Sequence, residues 1–330
     1  MQRVKHMDIV TVGHAVADII LKPVPDNFFQ IDAVNIPSIS TVTGGDALNT
    51  AIDCARLGMQ VGYVAKTGTD ANGAFLKREV AKEGVDISRV ISTDEASTAT
   101  SIHFLKEDGE RHTVVLTGAN AELVYEDLDV DYFKQAKVVQ YGSANGLAKL
   151  DGPGITRLFK ECKEAGCMTS MDVTCDLPPE VCYNNVKDVL NYTDIFFPSD
   201  YEAEIITGGL TKCEDIEKFF SRFGIKILVI KLGARGVYVT DFKTRRYIPT
   251  FHVPKVVDVT GCGDSFVAAF LTAIVKGWSM EEAAVFGNAV GSMNCQVLGA
   301  NLGVKSFEET MAYIKERIDQ VPEDLRARFQ

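Results

Sequence analysis

The stretch VDVTGCGDSF, residues 257–266, places two glycines and an aspartate directly before an apolar segment. From Ser265 to Val275 the apolar residues recur at helical spacing and Gly277 provides a stop, so the pattern predicts a helix that starts at this turn. The first N–H groups of a helix lack partners within it and carry the positive end of the helix dipole, and glycine lets a backbone approach an anion closely. The stretch therefore predicts an anion site with Asp264 beside it.

Asp264 has two interpretations at this stage. A carboxylate next to an anion site is unfavourable for phosphate binding alone, but a general base is useful there. It would accept the proton of a substrate hydroxyl while backbone N–H groups stabilise a transferring phosphoryl group. The other interpretation is an aspartate that only caps its helix. Taken alone, the turn favours neither role over the other.

Composition limits the class of protein. The chain has 330 residues, 46% of them hydrophobic, and a formal net charge of −11. This acidic balance argues against nucleic acid and against an anionic membrane surface as partners, so any phosphate must be held by local groups. We find no signal-peptide pattern and no apolar stretch of membrane-spanning length, and we expect a cytoplasmic protein.

The eight cysteines contain no Cys-x-x-Cys pair, and with the five histidines they show no metal-ligand spacing. We therefore expect reduced, largely buried thiols and no zinc site. Cys262 is the exception, because it lies in the glycine turn near a helix N-terminus, where a thiol can be acidified. A small residue that fills a small space is the simpler interpretation.

A second glycine turn, TGGDALN at residues 43–49, precedes an apolar stripe that ends at Gly58. The pattern predicts a helix that begins near Asp46 and carries Asn49 in its first turns. Asp46 has two interpretations: it binds the substrate, or it only caps the helix. An internal asparagine lowers helix propensity, so Asn49 calls for a compensating function.

The rest of the chain alternates short apolar runs with helical patterns, which predicts a mostly parallel sheet covered by helices on both faces. Polar residues such as Ser143 and Asp172 follow predicted strands, where ligands are expected. Two segments break the alternation. Residues 22–37 look irregular, and residues 98–105 and 111–116 read as a hairpin around the turn KEDGE at 106–110. We predict one α/β domain over residues 1–330 with a small β-sheet lid formed by about 14–42 and 97–117.

With DVTGCGD at residues 258–264 and Gly44-Gly45-x-x-x-Asn49 in this order and separation, the chain resembles the PfkB family of carbohydrate kinases, the ribokinase-like kinases. The resemblance extends over nearly the whole chain. It implies that Asp264 is the catalytic base, and that the anion hole consists of Gly261, Cys262 and Gly263. It implies that the sugar is held by Asp18, Gly44, Gly45 and Asn49. The residues alone add Asp46 and Arg111 as candidates for the substrate site.

The resemblance also implies ATP, magnesium and, as in many members, a monovalent cation such as potassium. The candidate ATP-binding residues are Lys231, Gly233, Gly236 and Asn288. Lys231 stands where the family usually has threonine, and it would contact a nucleotide phosphate as a point charge. Glu202 matches the glutamate of the family's Asn-x-x-Glu motif and would hold magnesium through water, although Ser199 replaces the asparagine. Asp258 and Thr260 match positions that hold the monovalent cation, with the turn at 299–301 closing the site.

The predicted function is an ATP-dependent sugar kinase acting on ribose, fructose or a related keto-sugar. A nucleoside kinase is the nearest alternative, in which Phe28, Phe29, His103 and Phe104 would cover a base. A noncatalytic sugar- or nucleotide-binding relative is another. A nicotinamide-dependent oxidoreductase is disfavoured, because the first strand is not followed by Gly-x-Gly-x-x-Gly. The free edges of a β lid predict a homodimer that forms through the lid.

Overall fold

The computed structural model describes residues 6–108 and 110–330. Its main sheet has eight strands in the order β14-β13-β12-β11-β10-β9-β1-β4. These strands are β1 Met7–Val12, β4 Val61–Val64, β9 Ala136–Ala144, β10 Met168–Val173, β11 Ile195–Phe197, β12 Ile227–Lys231, β13 Val237–Thr240 and β14 Arg245–Ile248. The pairs from β4 to β12 are all parallel, as the alternation of strands and helices predicted.

Ten α-helices accompany the strands within the described residues. They are α1 Asp46–Arg56, α2 Ala71–Lys82, α3 Val130–Phe133, α4 Pro153–Glu164, α5 Pro179–Val186, α6 Asp200–Thr207, α7 Cys213–Phe220, α8 Cys262–Val275, α9 Met280–Asn294 and α10 Phe307–Glu316. None of the described helices combines the length and apolar character needed to cross a bilayer. Helix α8 begins at Cys262, three residues earlier than predicted, so the second glycine of the turn is already helical.

The main sheet separates two apolar cores, because successive side chains of a strand point to opposite faces. In β11, Ile195 and Phe197 belong to one core and Phe196 to the other. The first core packs the sheet against α1, α8 and α9, and the second packs it against α4 and α7. Helices α1 and α8 are therefore neighbours on one face, and their N-terminal ends meet at the carboxyl edge of the parallel strands.

A second sheet, here called the small sheet, has the strand order β3-β2-β7-β8. Its strands are β2 Val16–Lys22, β3 Ser38–Gly44, β7 Ala99–Leu105 and β8 Arg111–Leu116. The predicted hairpin is confirmed, since β7 and β8 pair antiparallel. Gly109 of its predicted turn lies outside the described residues, and β3 was not predicted. A separate two-stranded sheet pairs β5 Lys66–Gly68 with β6 Ile91–Thr93.

Candidate active site

The predicted anion site lies at the N-terminus of α8. Gly261 caps the helix with φ of 72°, in the left-handed region. A Cβ at Gly261 would lie 1.9 Å from the Ala300 carbonyl oxygen, so only glycine fits between the turn and the 299–301 segment. Among the described residues, the N–H groups of Gly263 and Asp264 bond to no acceptor, whereas the N–H of Cys262, which was predicted to belong to the anion hole, donates to the Val259 carbonyl oxygen at 3.2 Å. Such free N–H groups at a helix N-terminus are the requirement for an anion hole.

Asp264 is half-buried in the first turn of α8 and contacts the predicted sugar-binding residue Asn49. The Asn49 Nδ2 donates to Asp264 Oδ2 at 2.8 Å. The pKa of Asp264 is raised to about 6, because burial and the Asp46 charge outweigh the Asn49 hydrogen bond and Lys231, which lower it. A carboxyl with this pKa is ionised at neutral pH and is a stronger base than an ordinary aspartate.

A second contact ties the same two helices together, and sequence reasoning missed it. Asp53 is fully buried one turn after Asn49, and it accepts a hydrogen bond of 2.8 Å from the Ser265 hydroxyl. Burial raises the pKa of Asp53 well above its usual value. A polar residue on the apolar stripe of α1 was the available signal, but its partner lies 212 positions away.

Asp46 belongs to a polar group at the end of β1 and β9. It accepts hydrogen bonds from the Ser143 hydroxyl and from the backbone N–H of Ala47, the latter at 3.0 Å. The Nδ1 of His14 lies 3.6 Å from Asp46 Oδ1. The carboxylate therefore does more than cap α1, because it also joins that helix to the ends of two central strands.

Gly44 and Gly45 allow the close packing of this region. A Cβ at Gly44 would lie 2.1 Å from Asp18 Oδ2, and a Cβ at Gly45 would lie 2.6 Å from the His14 carbonyl oxygen. Asp18 sits in β2 of the small sheet, with His103 Nε2 at 3.4 Å from its Oδ1. The glycine pair thus lets the small sheet bring Asp18 next to the start of α1.

A smaller cavity of about 280 Å³ lies between the small sheet and the 257–260 segment. Its lining includes the predicted residues Asp18, Arg111, Asp258 and Thr260, together with Lys22 and His103. The Arg111 guanidinium on the small sheet donates from NH1 to the hydroxyl of Thr260, in the segment that precedes α8, at 3.3 Å. The structure therefore brings candidates from both ends of the chain to one cavity.

A larger cavity of about 530 Å³ lies on the other side of the glycine turn. All four predicted ATP-binding residues line it, together with two residues of the anion site: Lys231, Gly233, Gly236, Asn288, Cys262 and Gly263. Val237, Phe251 and Phe266 add apolar wall. The Asn288 amide donates to the carbonyl oxygens of Ile248 and Pro249 at 3.1 and 3.0 Å, so it also holds the backbone that shapes the cavity.

Lys231 does not point at open space, because its ammonium group is paired. The Nζ donates to both carboxylate oxygens of Asp172 at 2.7 Å. Asp172 was one of the polar residues that follow predicted strands, but the sequence did not indicate this partner. Both side chains are nearly buried, with exposed fractions of 16% for Lys231 and 8% for Asp172.

Glu202, the residue predicted to hold magnesium through water, pairs with Ser199 at the start of α6. The Glu202 Oε2 accepts the Ser199 N–H at 2.6 Å, and Ser199 Oγ accepts the Glu202 N–H at 3.2 Å, which forms a capping box at the start of α6. Ser199 thus supplies a cap where the family has asparagine. Among the described residues no group of three His, Cys, Asp or Glu side chains converges on one point, so direct coordination by the protein alone is not provided for.

Asp258, which the resemblance assigns to a monovalent cation, is held in the glycine turn by two backbone N–H groups. The carboxylate accepts N–H groups of Thr260 at 2.9 Å and of Gly299 at 3.0 Å. Burial opposes its charge, but these hydrogen bonds and Arg111 lower the pKa of Asp258, so it stays ionised. The carbonyl oxygens of Ala300 and Thr260 converge within 2.7 and 3.5 Å of the Asn294 amide nitrogen. Both carbonyl oxygens accept hydrogen bonds from that amide, and a monovalent cation at Asp258 stays a prediction.

Cys262 is not an acidified thiol. Burial, together with the neighbouring Cys295, Asp258 and Asp264, raises the pKa of Cys262 to about 12. The helix N-terminus does not offset these effects, and the simpler interpretation of Cys262, a small residue that fills a small space, stays a prediction. All eight cysteines are free.

Comparison with known proteins identifies the family of this chain. The model of the pfkB family carbohydrate kinases matches residues 7–306. The chain is 28% identical to 2-dehydro-3-deoxygluconokinase of Bacillus subtilis (strain 168), over 93% of this chain and 95% of that protein. It is 32% identical to fructokinase-1 of Oryza sativa subsp. japonica, over 82% and 87%. The solved structure of Arabidopsis thaliana ribokinase complexed with ribose and ATP covers 94% of this chain and 99% of its own, with a TM-score of 0.80 and 26% identity.

Proposed function

The chain belongs to the pfkB family of carbohydrate kinases, and from that premise we propose that it phosphorylates a keto-sugar with ATP, using Asp264 as the general base. The relatives support this substrate class, since they include fructokinases and a 2-dehydro-3-deoxygluconokinase. Ribose stays in the candidate set because the ribokinase fold is shared.

The observation that carries the proposal is the contact between Asn49 and Asp264. One side chain is a predicted sugar ligand and the other a predicted base, and their hydrogen bond joins the first turns of α1 and α8. The Asn49 Oδ1 is buried and has no hydrogen-bond partner among the described residues. An unpaired buried acceptor costs about 1–3 kcal/mol, which a substrate hydroxyl would recover by donating to it.

The reaction that this geometry supports is in-line phosphoryl transfer. Asp264 takes the proton of a sugar hydroxyl as that oxygen forms a bond to the γ-phosphorus, and the bond from the γ-phosphorus to the leaving oxygen of ADP breaks. The N–H groups of Gly263 and Asp264 stabilise the charge that spreads over the phosphoryl oxygens. At neutral pH the base is ready, because its pKa is about 6.

Two ions complete the proposed site. Magnesium, when bound, neutralises phosphate charge, and Glu202 would hold it through water. A monovalent cation such as potassium would be held by Asp258 and Thr260, behind the turn that forms the anion hole. We test the second ion by titrating KCl against NaCl, following both turnover and the melting temperature. Equal curves for the two salts would contradict a potassium site.

The smaller cavity favours a carbohydrate over a nucleoside. Its lining carries acidic and basic side chains, among them Asp18, Lys22 and Arg111, which suit vicinal hydroxyls. Phe28, Phe29 and Phe104 form a ring cluster, with centroids 5.2 to 5.8 Å apart, but of the four residues of the nucleoside alternative only His103 lines this cavity. The aromatic cover expected over a nucleoside base is therefore not provided there by these rings.

The test is a substrate panel with Mg·ATP that includes fructose, ribose, 2-dehydro-3-deoxygluconate and adenosine. We expect a keto-sugar to give the highest kcat/KM, and Asp264→Asn to lower kcat by roughly 10³-fold on that substrate. Asp131→Asn is a matched control, because Asp131 lies in the first turn of α3 and is exposed. Turnover that survives Asp264→Asn would rule out the proposed base, and a preference for adenosine would favour the nucleoside alternative.

We also propose that the small sheet acts as a lid and as the interface of a homodimer. Strand β8 is exposed along its whole length and lies at one edge of that sheet. Val115 and Ile39 are 64% and 66% exposed, on β8 and on the opposite edge strand β3. Light scattering should give a dimer mass for the wild type and a monomer mass for Val115→Lys, and a monomeric wild type would contradict the interface. A cytoplasmic location without nucleic-acid or membrane partners stays a prediction from the sequence.

A further inference from the structure

Lys231 reaches across a strand of the main sheet to find its counterion. It is the last residue of β12, whereas Asp172 lies in β10, and β11 runs between them. The backbone N–H of Lys231 bonds to the Pro198 carbonyl oxygen at 2.8 Å, which fixes the base of the side chain. The ammonium group is therefore held at the carboxyl edge of the parallel strands, where this fold places its ligands.

The same ammonium group faces the anion site. Among the described residues, the only atoms outside the local turn within 4 Å of a Cβ built at Gly263 belong to Lys231, with Nζ at 3.6 Å and Cδ at 3.9 Å. The ammonium group of Lys231 therefore lies close to Gly263, whose N–H is free. Lys231 also lines the larger cavity together with Cys262 and Gly263.

The surrounding charges keep this lysine protonated. Burial opposes the charge, but the carboxylates of Asp172, Glu202 and Asp264 together raise the pKa of Lys231 above its ordinary value. The Lys231 ammonium therefore interacts favourably with all three of these carboxylates. In a chain of net charge −11, a local cation of this kind is what permits a polyanionic nucleotide to approach them.

We propose that the Lys231 ammonium pairs with the γ-phosphoryl group of ATP and stabilises it during transfer, and that Asp172 is the counterion that holds Lys231 in place before ATP binds. Lys231 stays protonated throughout, since the proton of the substrate hydroxyl goes to Asp264. The inference rests on the proposed kinase function and gives Lys231 a more specific role than a general nucleotide-phosphate contact.

This role differs in its consequences from a contact with the α- or β-phosphate. A lysine that contacts the γ-phosphoryl group binds ATP but not ADP through that contact, and charge that develops on the equatorial oxygens strengthens it. A lysine on the inner phosphates would bind ATP and ADP alike and would act mainly on KM. The two roles are separated by nucleotide affinity, without any sugar.

The experiment compares the wild type with Lys231→Met by calorimetry with Mg·ATP and Mg·ADP. We expect Lys231→Met to weaken ATP binding by roughly tenfold or more and ADP binding much less, because a charge-assisted contact is lost only with ATP. Lys226→Met is the matched control, since Lys226 just precedes the same strand, is 71% exposed and pairs with Asp194. Equal weakening of ATP and ADP, or no weakening, would overturn the inference.

Turnover gives the second readout. Lys231→Met should lower kcat by about 10²- to 10³-fold, and Lys231→Arg should retain more activity because it keeps the charge. Removing one partner of a buried pair can unfold a protein, so the double variant Asp172→Asn with Lys231→Met, which leaves no unpaired charge, is measured as well. It should melt closer to the wild type yet remain slow. If no carbohydrate is phosphorylated by the wild type, the proposed function fails, while the calorimetry still decides the role of Lys231.

Discussion

In the proposed site, the phosphoryl side is built on the buried ends of the main sheet and on α8, whereas the carbohydrate side takes Asp18 and Arg111 from the small sheet. From Ser265 to Ala273 every residue of α8 is buried. By contrast, every residue of β8 is exposed. Buried, densely packed elements hold catalytic groups rigidly, while elements with few buried contacts open and vary more easily. The difference suggests that the chemistry is held by the core and that substrate choice is made at the surface.

The strongest test of this contrast is Gly261→Ala on the phosphoryl side. The new Cβ would collide with the Ala300 carbonyl oxygen and must also adopt a left-handed φ, so we expect at least a 100-fold loss of kcat and a lower melting temperature. Gly277→Ala is the matched control, because Gly277 has φ of 80° but no atom within 4 Å of the new methyl group. Equal effects of the two substitutions would show that the close approach to Ala300 is unimportant.

The pH dependence of turnover is a second test of the phosphoryl side. Since burial raises the pKa of Asp264 to about 6, the base becomes protonated below that pH, and kcat/KM should fall about tenfold per pH unit there. Asp46 also raises this pKa, so Asp46→Asn should move the acidic limb to lower pH. A limb that stays in place in Asp46→Asn, or that lies near pH 4 in the wild type, would contradict this electrostatic account.

On the carbohydrate side, Arg111→Gln should lower kcat/KM for the sugar by roughly tenfold, because the guanidinium that lines the smaller cavity is lost as a charged donor to a substrate hydroxyl. The KM for ATP should not change. Arg89→Gln serves as the control, since Arg89 is exposed and pairs with Asp129 away from both cavities. If the KM for ATP rose by the same factor as kcat/KM for the sugar fell, the proposed separation of a phosphoryl side from a carbohydrate side would be wrong.

The smallest expected effect concerns the bond between α1 and α8. Ser265→Ala removes the hydroxyl that Asp53 accepts from, so the free energy of unfolding should fall by about 1 kcal/mol and the melting temperature by about 2 °C. The kcat should fall only slightly, because Asn49 still contacts Asp264. An unchanged melting temperature in a thermal scan would show that this buried pair adds nothing to the rigidity of the phosphoryl side.

Much of the phosphoryl side was predictable from the sequence, because glycine turns, apolar stripes and strand-end polar residues are local signals. The turn at 257–266 and the helix start near Asp46 both appear where they were expected. The antiparallel edge strands β13 and β14 were missed. They are four residues long each and follow one another, so no helix separates them as it does the parallel strands.

Pairings between distant residues could not be predicted in the same way. The partners of Asp53 and Lys231 lie 212 and 59 positions away, and nothing local distinguishes them from other buried polar residues. Strand β3 was missed for a different reason. Its first four residues are all exposed, so its sequence lacks the apolar alternation that marks a half-buried strand.

The β7–β8 hairpin is continuous in the chain, from Ala99 to Leu116, and carries His103 and Arg111 into the smaller cavity. Because the proposed base and anion-hole groups lie elsewhere, on α8, the hairpin can be exchanged as a unit in an engineering experiment. Replacing this hairpin by the corresponding one of a fructokinase or a 2-dehydro-3-deoxygluconokinase would test whether these roughly eighteen residues determine the substrate preference. Natural diversification of such kinases would then need only surface insertions and substitutions, with the helix pair that carries Asn49 and Asp264 left intact.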